Sequence, residues 1–323
     1  MYKNNSQIIR IVCVAAKKER VSYSGFARLA RARLLAVLFG LAVFAPCCAE
    51  AATYTKTVEI KAPGGALSGD AVSVDLGSGV AVRPGAAANI DSTKISTSAT
   101  LGRGVSMSQS ALNMKNSEIS TTGGSAAGIY MENTSSGEIE DTNITTGSTG
   151  KGSGDGVYIK GSSSIKMKNG TVNANGSQAY GAYGETGSAL DISGTHIVVS
   201  GDGSHGVGVN MSSDLKLANA DINVTGKNTR GIWIQRTSSA DIKDTKVTMN
   251  SEKGVGVQIY NSSAVNMERI DVTTAGNYGQ GVLVLGGRAG AAWGGGFLAR
   301  RRARGPAALC SLPRGVFVPR PPP

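Results

Sequence analysis

Residue types that could serve catalysis are few and scattered in this chain of 323 residues. His196 and His205 are the only histidines, no cysteine lies beside them, and neither has the spacing of a metal-ligand set. Ser204 precedes His205, but the second glycine of a G-x-S-x-G nucleophile elbow is missing. We interpret this pair as a loop serine beside a loop histidine. The sequence therefore predicts no catalytic residue, no metal site and no cofactor.

Recurring aspartates are the other candidates for acid–base chemistry: Asp191, Asp221, Asp241 and Asp271. An enzyme acting on polysaccharide needs its acids and bases close together in space. These aspartates occupy two different positions of a sequence repeat, which places them in two rows beside different strands. We interpret them as solvated strand flanks that discourage lateral aggregation. Asp155, in a stretch from Gly150 to Val157 that weakly matches a calcium-binding nonapeptide, is assigned to an inserted loop.

One aromatic set has a spacing that could bind a partner. Tyr130, Tyr158, Tyr183 and Trp233 each lie two residues after a glycine of a repeated frame, between inward-facing positions. On stacked strands this position points outward, and the three tyrosines on successive coils would lie about 4.8 Å apart. Such a stripe could contact sugar rings or an apolar patch of a partner. The alternative is that aromatic residues are good strand formers that stack on each other.

The frame that positions these residues reads glycine, apolar, any residue, apolar. Its glycines are Gly79, Gly104, Gly128, Gly156, Gly181, Gly206, Gly231, Gly256 and Gly281. Seven of the eight intervals are 24 or 25 residues, and one is 28. Self-similarity at a period of this size indicates a solenoid, in which each repeat buries its apolar face against its neighbours.

Within the repeat, apolar residues come in pairs two residues apart. Counted from the glycine, positions 1, 3, 9, 11 and 16 are apolar or small in the copies from Gly181 to Gly256. In the copy at Gly206 they are Val207, Val209, Leu215, Leu217 and Ile222. A spacing of two is the strand period, so each repeat is predicted to hold three short strands.

Polar turns separate these strands, and Asn169, Asn219 and Asp244 share one turn position. Parallel strands joined by connections this short can close only as a coil around an axis, because pairing in one flat sheet needs longer crossovers. The repeat therefore predicts an all-β parallel β-helix with about 25 residues per coil over residues 79–287. Residues 52–78 are assigned to an N-terminal cap region.

Residues 1–51 are predicted to be a secretory signal peptide with an extended basic segment. Arginines within residues 28–33 precede twelve apolar residues, 34–45, and Ala49-Glu50-Ala51 matches a signal peptidase site. The apolar run is too short to span a bilayer. A membrane anchor, a core helix and a lipoprotein signal at Cys47 or Cys48 remain alternatives. Cleavage would leave Cys310 as the only cysteine, which excludes an intramolecular disulfide.

The formal net charge of +11 is concentrated at the two ends of the chain. Residues 52–287 hold 18 Lys and Arg against 20 Asp and Glu, whereas residues 288–323 hold seven arginines and no acid. The repeat body is slightly acidic, so we exclude nucleic acid as a partner. The tail at 288–323 is predicted to be a disordered Arg/Gly/Pro-rich segment. Its composition fits either a natural basic tail or out-of-frame translation.

The signal ending Ala49-Glu50-Ala51 and repeats such as Gly206-Val207-Gly208-Val209 resemble the passenger domains of pertactin-like autotransporters of Gram-negative bacteria, the type V secretion system. The resemblance extends over residues 1–287. It implies a right-handed β-helix, export across the inner membrane, and a C-terminal translocator β-barrel in the outer membrane. No barrel pattern of alternating strands follows the repeats here, so the chain is expected to be truncated before its translocator.

These observations predict a non-enzymatic, adhesin-like or virulence-associated passenger fragment. Its expected partner is a host surface glycan or protein, with outer-membrane association only where a translocator barrel is supplied. The expected location is the periplasm for this chain and the cell surface for an intact parent. The alternatives are a secreted β-helix polysaccharide lyase or hydrolase, and a free structural fibre protein.

Overall fold

The computed structural model describes residues 51–147 and 153–285, and the backbone of the strands at 288–290 and 298–301. Of the two compact units of the chain, Met1–Thr53 lies outside the described ranges except for its last three residues, and the solenoid belongs to Tyr54–Pro323. All regular secondary structure in the described ranges is β-strand. The predicted signal peptide, the four cysteines and most of the tail therefore lie outside the described residues.

In chain order the strands are β1 (Thr53–Tyr54), β2 (Val58–Ile60), β3 (Pro63–Ser68), β4 (Ala71–Val74), β5 (Val80–Val82), β6 (Ala87–Asp91), β7 (Lys94–Thr97), β8 (Arg103–Ser108), β9 (Ala111–Lys115), β10 (Glu118–Thr121), β11 (Ala127–Glu132), β12 (Ser136–Glu140), β13 (Asn143–Gly147), β14 (Val157–Lys160) and β15 (Ser164–Lys168). They continue as β16 (Thr171–Asn175), β17 (Tyr180–Glu185), β18 (Ala189–Ser193), β19 (His196–Ser200), β20 (His205–Asn210), β21 (Asp214–Ala218), β22 (Asp221–Lys227), β23 (Arg230–Ile234), β24 (Ser239–Glu252), β25 (Val255–Tyr260), β26 (Ala264–Thr274), β27 (Gln280–Leu285), β28 (Arg288–Gly290) and β29 (Leu298–Arg301).

Each coil adds one strand to each of three parallel columns. The first column is a 10-stranded sheet with the order β2-β5-β8-β11-β14-β17-β20-β23-β25-β27. The second column, from β3 and β6 onward, and the third, from β4 and β7 onward, form one 19-stranded sheet among the described residues. They are joined because β24 and β26 each run unbroken from the second column into the third. The right-handed parallel β-helix that the sequence predicts is confirmed.

The predicted inward positions form the core. Val207 pairs with Ile232 and Val209 with Ile234 in adjacent coils, so apolar residues stack in register along the axis. The predicted core residues Ile222, Ile234, Ile242 and Val257 are all 0% exposed. This stacking lets a coil that could not fold alone bury both of its faces.

The frame glycines are required by close packing. A Cβ on Gly206 would lie 2.4 Å from the Gly231 carbonyl oxygen and 2.4 Å from the Ile222 Cγ2. At Gly256 the corresponding atoms are the Gly281 oxygen at 2.6 Å and the Val272 Cγ1 at 2.2 Å. One obstacle is backbone of the next coil, which cannot rotate away. The glycine column therefore brings two coils together at a corner where no side chain fits.

The corners between the strands are built from two kinds of polar residue. Asn169, Asn219 and Asp244, predicted to share a turn position, all have left-handed φ angles, at 58°, 52° and 46°. Asparagine and aspartate tolerate this conformation best among non-glycine residues. At another corner a column of buried serines links the coils. Ser213 accepts a hydrogen bond from the Ser188 backbone N–H at 3.1 Å and donates to the Asn210 carbonyl at 2.7 Å.

The N-terminal boundary differs from the prediction. Residues 52–78 were assigned to a cap region, yet β2, β3 and β4 pair in parallel and in order with β5, β6 and β7. This segment is one further coil of the solenoid. The sequence frame missed it because Thr57 replaces the glycine before Val58, although Val58 and Ile60 keep the apolar pair.

The C-terminal boundary also differs from the prediction that residues 288–323 are a disordered tail. β28 and β29 pair in parallel with the two halves of β26. Ala289 aligns with Val265 of the preceding coil, and Ala299 aligns with Val272. Alanine thus takes the sequence position that valine holds in the preceding coil. The rest of the predicted disordered tail lies outside the described residues.

The long 28-residue interval is an insertion between β13 and β14. Asn143 aligns with Thr171, 28 residues later, whereas Val157 aligns with Ala182, 25 residues later. Register is thus restored by the start of β14. Among the described residues, no helix is long and apolar enough to cross a membrane.

Candidate functional site: an aromatic outer face

The predicted aromatic residues lie on the outer side of the first column. Tyr130 pairs with Tyr158, and Tyr158 with Tyr183, on the adjacent strands β11, β14 and β17. Their ring centroids are 5.5 Å and 5.6 Å apart, and the rings of Tyr158 and Tyr183 are parallel within 8°. The predicted outward row is therefore observed, with slightly wider ring spacing than the strand separation.

Gly208 interrupts this row between Tyr183 and Trp233. The gap is filled from a neighbouring row by Tyr180, whose ring stacks on Tyr183 at 4.3 Å and lies 6.1 Å from Trp233 at an interplanar angle of 15°. A Cβ on Gly208 would lie 3.0 Å from Tyr183 and 3.2 Å from Tyr180. The absence of a side chain at Gly208 thus lets both rings fold over the strand.

Five rings consequently form one continuous surface, which we call the aromatic face: Tyr130, Tyr158, Tyr183, Tyr180 and Trp233. Tyr180 was missed by the sequence reasoning because it lies immediately before its frame glycine. The signal was present in the same column of the repeat, where Tyr180, His205 and Arg230 occupy equivalent positions on adjacent coils.

The five rings differ in exposure. Tyr130 and Tyr183 are only 7% and 8% exposed because neighbouring rings and side chains cover them. Tyr158, Tyr180 and Trp233 are half-buried and present part of each ring to solvent. The alternative interpretation, mutual stacking of strand-forming aromatics, therefore describes Tyr130 and Tyr183 well. The accessible surface of the aromatic face belongs to the other three residues.

Two glutamates organise the tyrosine hydroxyls. Tyr130 donates to Glu132 at 2.8 Å, while Tyr158 and Tyr183 both donate to Glu185. Burial, and then the neighbouring Glu185 carboxylate, raise the pKa of Tyr158 well above its ordinary value. Burial likewise raises the pKa of Tyr183 to about 12. The Tyr158 and Tyr183 hydroxyls are neutral hydrogen-bonding groups at physiological pH.

Cations border the aromatic face at both ends. The Arg103 guanidinium lies 3.4 Å above the Tyr130 ring, and the Lys160 ammonium lies 5.4 Å from the same ring. At the other end, the Arg230 guanidinium lies 5.1 Å from the Trp233 ring centroid. Cations over aromatic rings are stabilised by the ring quadrupole, by about 0.5–1 kcal/mol at exposed sites.

His205 packs against the aromatic face from a strand and does not lie in a loop, which corrects the sequence interpretation. It begins β20, is 5% exposed, and its ring lies 5.0 Å from Trp233. Burial, and then the adjacent Arg230 charge, lower the pKa of His205 to about 3. Because Arg230 can only donate, its contact with the His205 Nε2 at 3.2 Å makes that nitrogen an acceptor. His205 is thus a neutral, covered support for Arg230.

Ser204 is likewise committed to the fold. Its hydroxyl donates to the Gly176 carbonyl at 2.7 Å and accepts from the Ala179 backbone N–H at 3.2 Å. The residue is 0% exposed. Ser204 and His205 are therefore adjacent in sequence without forming a nucleophile–base pair.

The recurring aspartates lie in two rows, as predicted. Asp191 aligns with Lys216, which aligns with Asp241 on the next coil, so this row alternates in charge. In the other row the Asp221 Oδ2 lies 3.5 Å from the His196 Nδ1. Within the described part of the chain, no three His, Cys, Asp or Glu side chains are grouped as a metal site would require.

Asp155 is an acid that contacts the backbone of the aromatic face. Burial raises the pKa of its carboxyl to about 6, against the opposing effect of the hydrogen bond from the Tyr180 backbone N–H at 2.9 Å. Asp155 lies just before β14, at the repeat position that Tyr180 occupies in the next coil. Its carboxyl is therefore held by the backbone of β17.

A groove of about 560 Å³ follows the second column, away from the aromatic face. It is lined by small side chains such as Ala111 and Ser136, and by a row that changes sign from Glu138 to Lys166 to Asp191. Its charges compensate one another along the axis, and it brings no aromatic ring to the surface.

Fold and site together define a parallel β-solenoid with an aromatic, cation-bordered outer face. The chain belongs to the right-handed β-helix family, because the family described as "Right handed beta helix region" matches residues 69–203 and 127–292. No protein of curated function matches the chain by sequence.

One solved structure similar to this chain is the full-length tailspike protein 2 of the Escherichia coli O157:H7 bacteriophage CAB120. The match has 10% identity and a TM-score of 0.38, and it covers 68% of this chain and 34% of the tailspike. The chain thus spans about a third of that protein's length. A similarity of this size carries no argument about function.

Proposed function

We propose that the chain is an exported, non-enzymatic binding protein, an adhesin-like passenger of the autotransporter type. Its ligand would be a glycan or protein of a host surface. The observation that carries this proposal is the aromatic face, in which five rings are in continuous contact across the neighbouring strands β11, β14, β17, β20 and β23.

Rigid, partly exposed aromatic side chains are suited to binding because they contribute contact area at little cost in conformational entropy. Tyr158, Tyr180 and Trp233 supply the accessible area, while Tyr130 and Tyr183 are the buried members of the stack. Arg103 and Arg230 add donors at the two ends. An outer surface of this kind needs no moving part to present a ligand site.

A non-enzymatic role is supported by the way in which the serine, histidine and aspartate side chains are hydrogen-bonded, buried or paired within the fold. The Ser204 hydroxyl both donates to and accepts from backbone groups, and His205 is neutral and covered. The aspartates alternate with lysines instead of facing one another.

The binding experiment uses the full chain on arrays of host glycans and on host-cell surfaces. We expect Trp233→Ala to lose most binding, because it removes an accessible ring and opens one end of the stack. Tyr278→Ala is the matched control, since Tyr278 is a turn aromatic that is 70% exposed and makes no ring contact with the aromatic face. Equal loss in both variants, or no loss in Trp233→Ala, would contradict the proposal.

The export part of the proposal is tested separately. Residues 1–60 fused to a reporter that is active only outside the cytoplasm should direct translocation, with a mature N-terminus near Ala52. A fusion that stays in the cytoplasm would contradict export without affecting the binding proposal. On this proposal the chain reaches the periplasm, and a translocator barrel carries a passenger of this type to the surface.

A polysaccharide lyase or hydrolase is the second candidate, and Asp155 is the observation that favours it. A carboxyl with a pKa of about 6 lies in the range suited to general acid catalysis near neutral pH. Release of oligosaccharide from a polymer by the wild type, abolished in Asp155→Asn, would establish the enzyme. Unchanged ligand binding in Asp155→Asn with no polymer cleavage by either protein would favour the binding protein.

A further inference from the structure

At the Trp233 end of the aromatic face, a guanidinium lies beside an indole ring without an acid paired to it. Arg230 is half-buried, and its guanidinium contacts only neutral groups. Its Nε donates to the Gln258 side-chain oxygen and its Nη1 to the His205 Nε2. No carboxylate of the described residues pairs with Arg230, whereas Arg269 and Arg83 pair with acids of the preceding coil. The positive charge of the Arg230 guanidinium is therefore not balanced by a neighbouring carboxylate.

The neighbouring side chains leave this positive charge in place. Burial lowers the pKa of Arg230 from its ordinary value, but an arginine remains protonated at any physiological pH. His205 beside it is neutral and provides no negative charge. A half-buried cation among neutral groups has lost hydration without a counter-ion, so a bound anion would restore the lost stabilisation.

Trp233, whose ring lies beside the Arg230 guanidinium, carries a second donor. Its indole is half-buried and lies 5.1 Å from the Arg230 Cζ, a separation comparable with the width of one pyranose ring. No described residue accepts from the indole N–H, and that nitrogen is not enclosed. Ring surface beside a guanidinium fork suits a ligand that has an apolar ring face and an anionic substituent.

We propose that Arg230, Trp233 and Gln258 form a subsite for a carboxylate-bearing sugar. The carboxylate accepts hydrogen bonds from Arg230 and from the Trp233 N–H, and the sugar ring packs against the accessible part of the indole. Gln258 is 9% exposed and holds the Arg230 fork by accepting from its Nε. His205 is a positioning residue, because its Nε2 holds the Arg230 fork toward Trp233. This inference rests on the proposed binding role of the aromatic face and names its ligand class.

The test measures binding of the full chain to polymer-linked 3′-sialyllactose, 3′-sulfolactose and lactose by surface plasmon resonance. The three probes share one core and differ in carrying a carboxylate, a sulfate or no charge. We expect the wild type to prefer the sialyl probe over lactose by about tenfold or more, as one charge-assisted fork contact provides. Preference for the sulfo probe over the sialyl probe would overturn the carboxylate assignment.

Three variants locate the site. Arg230→Gln should abolish the preference for the sialyl probe. Trp233→Phe keeps a ring against Tyr180 and His205 while removing the N–H. It should weaken binding of the sialyl probe several-fold. Lys216→Gln removes the same charge from an exposed position on β21 in a different column, and it should bind like the wild type. Far-UV circular dichroism and melting curves show that each variant is folded.

The outcomes separate this inference from the proposed function. Equal binding of all three probes, lost in Trp233→Ala, would overturn the carboxylate subsite and retain the aromatic face as a glycan site. Unchanged sialyl preference in Arg230→Gln, or equal loss in Lys216→Gln, would overturn the subsite. Binding of none of the three probes would also overturn it, whereas the proposed function falls only if no host ligand depends on Trp233.

Discussion

At the scale of single residues, the frame glycines show how closely the coils approach. Their role is distinct from that of turn glycines, because the obstacle is a neighbouring carbonyl group and not a left-handed φ angle. A methyl group added at such a position must displace backbone or an inward side chain, since both lie within 2.4 Å at Gly206.

We expect Gly206→Ala to reduce the free energy of unfolding by about 1–3 kcal/mol, the usual effect of overpacking. Gly124→Ala is the matched control, because the nearest atom to its added Cβ would be Thr100 Cγ2 at 4.0 Å. Urea unfolding measures both variants. Equal stability of Gly206→Ala and the wild type would contradict the packing explanation.

His205 provides a residue-level prediction about pH. Its pKa of about 3 in the folded state lies below the ordinary 6.5, so the unfolded state takes up a proton first as pH falls. The stability contribution is therefore complete above pH 6.5 and is lost as pH falls toward 3. Asp155 acts in the opposite direction, because its folded-state pKa of about 6 exceeds the ordinary 3.8.

Comparison with His205→Gln isolates the histidine, since Asp155 is present in both proteins. Between about pH 7.5 and about pH 5, the wild type should lose about 2 kcal/mol more stability than the variant. Urea unfolding at the two pH values measures this difference. The same pH dependence in both proteins would show that folding does not lower the pKa of His205.

At the scale of elements, the coils are joined by side-chain ladders at the corners as well as by strand pairing. The serine column supplies acceptors to backbone N–H groups that the strands leave unpaired. The Ser110 backbone N–H donates to the Ser135 hydroxyl of the next coil. In the same way Ser135 donates to Ser163, and Ser213 to Ser238. Most of these serines also donate to a carbonyl within their own coil, as Ser163 does to Lys160 at 2.8 Å and Ser213 to Asn210 at 2.7 Å.

We expect Ser213→Ala to cost about 1–3 kcal/mol, because it leaves the buried Ser188 N–H without an acceptor. Ser164→Ala is the control. Ser164 is an exposed serine that aligns with Ala189 on the next coil, so alanine suits its environment. Thermal and urea unfolding compare the two. A larger loss in Ser164→Ala would contradict the ladder's role.

At the scale of the whole molecule, the solenoid is a one-dimensional stack of similar coils, so its stability is approximately a sum over neighbouring pairs. Deleting residues 206–230 joins His205 to Gly231 and removes one complete 25-residue period. The shortened chain should fold with an unchanged β-sheet spectrum and a denaturant m-value lower by roughly one-tenth, since it loses one of the ten strands of the first column.

Deleting residues 206–217 is the contrasting control, because it removes half a coil and shifts inward residues out of register. We expect this variant to lose cooperative unfolding, as monitored by circular dichroism in urea. Similar behaviour of the two deletions would contradict the interchangeability of the coils.

The sequence by itself determined the coil period, the inward positions and the turn residues. These features depend on short-range spacing repeated along the chain, so one copy confirms another, as Ile222 and Val247 show at equivalent positions. Thr57 marks the limit of this reasoning, since one substitution at the frame position concealed a whole coil. The predicted row of Tyr130, Tyr158 and Tyr183 depended on the same spacing.

Only the tertiary structure decided how the outward rows join. Tyr180 reaches Trp233 because Gly208 leaves space between them, and Arg230 meets His205 and Gln258 from adjacent coils. These contacts depend on side-chain directions across residues about 25 and 50 positions apart, which no local period specifies. The face that carries the proposed function is therefore a property of stacked coils and not of any single repeat.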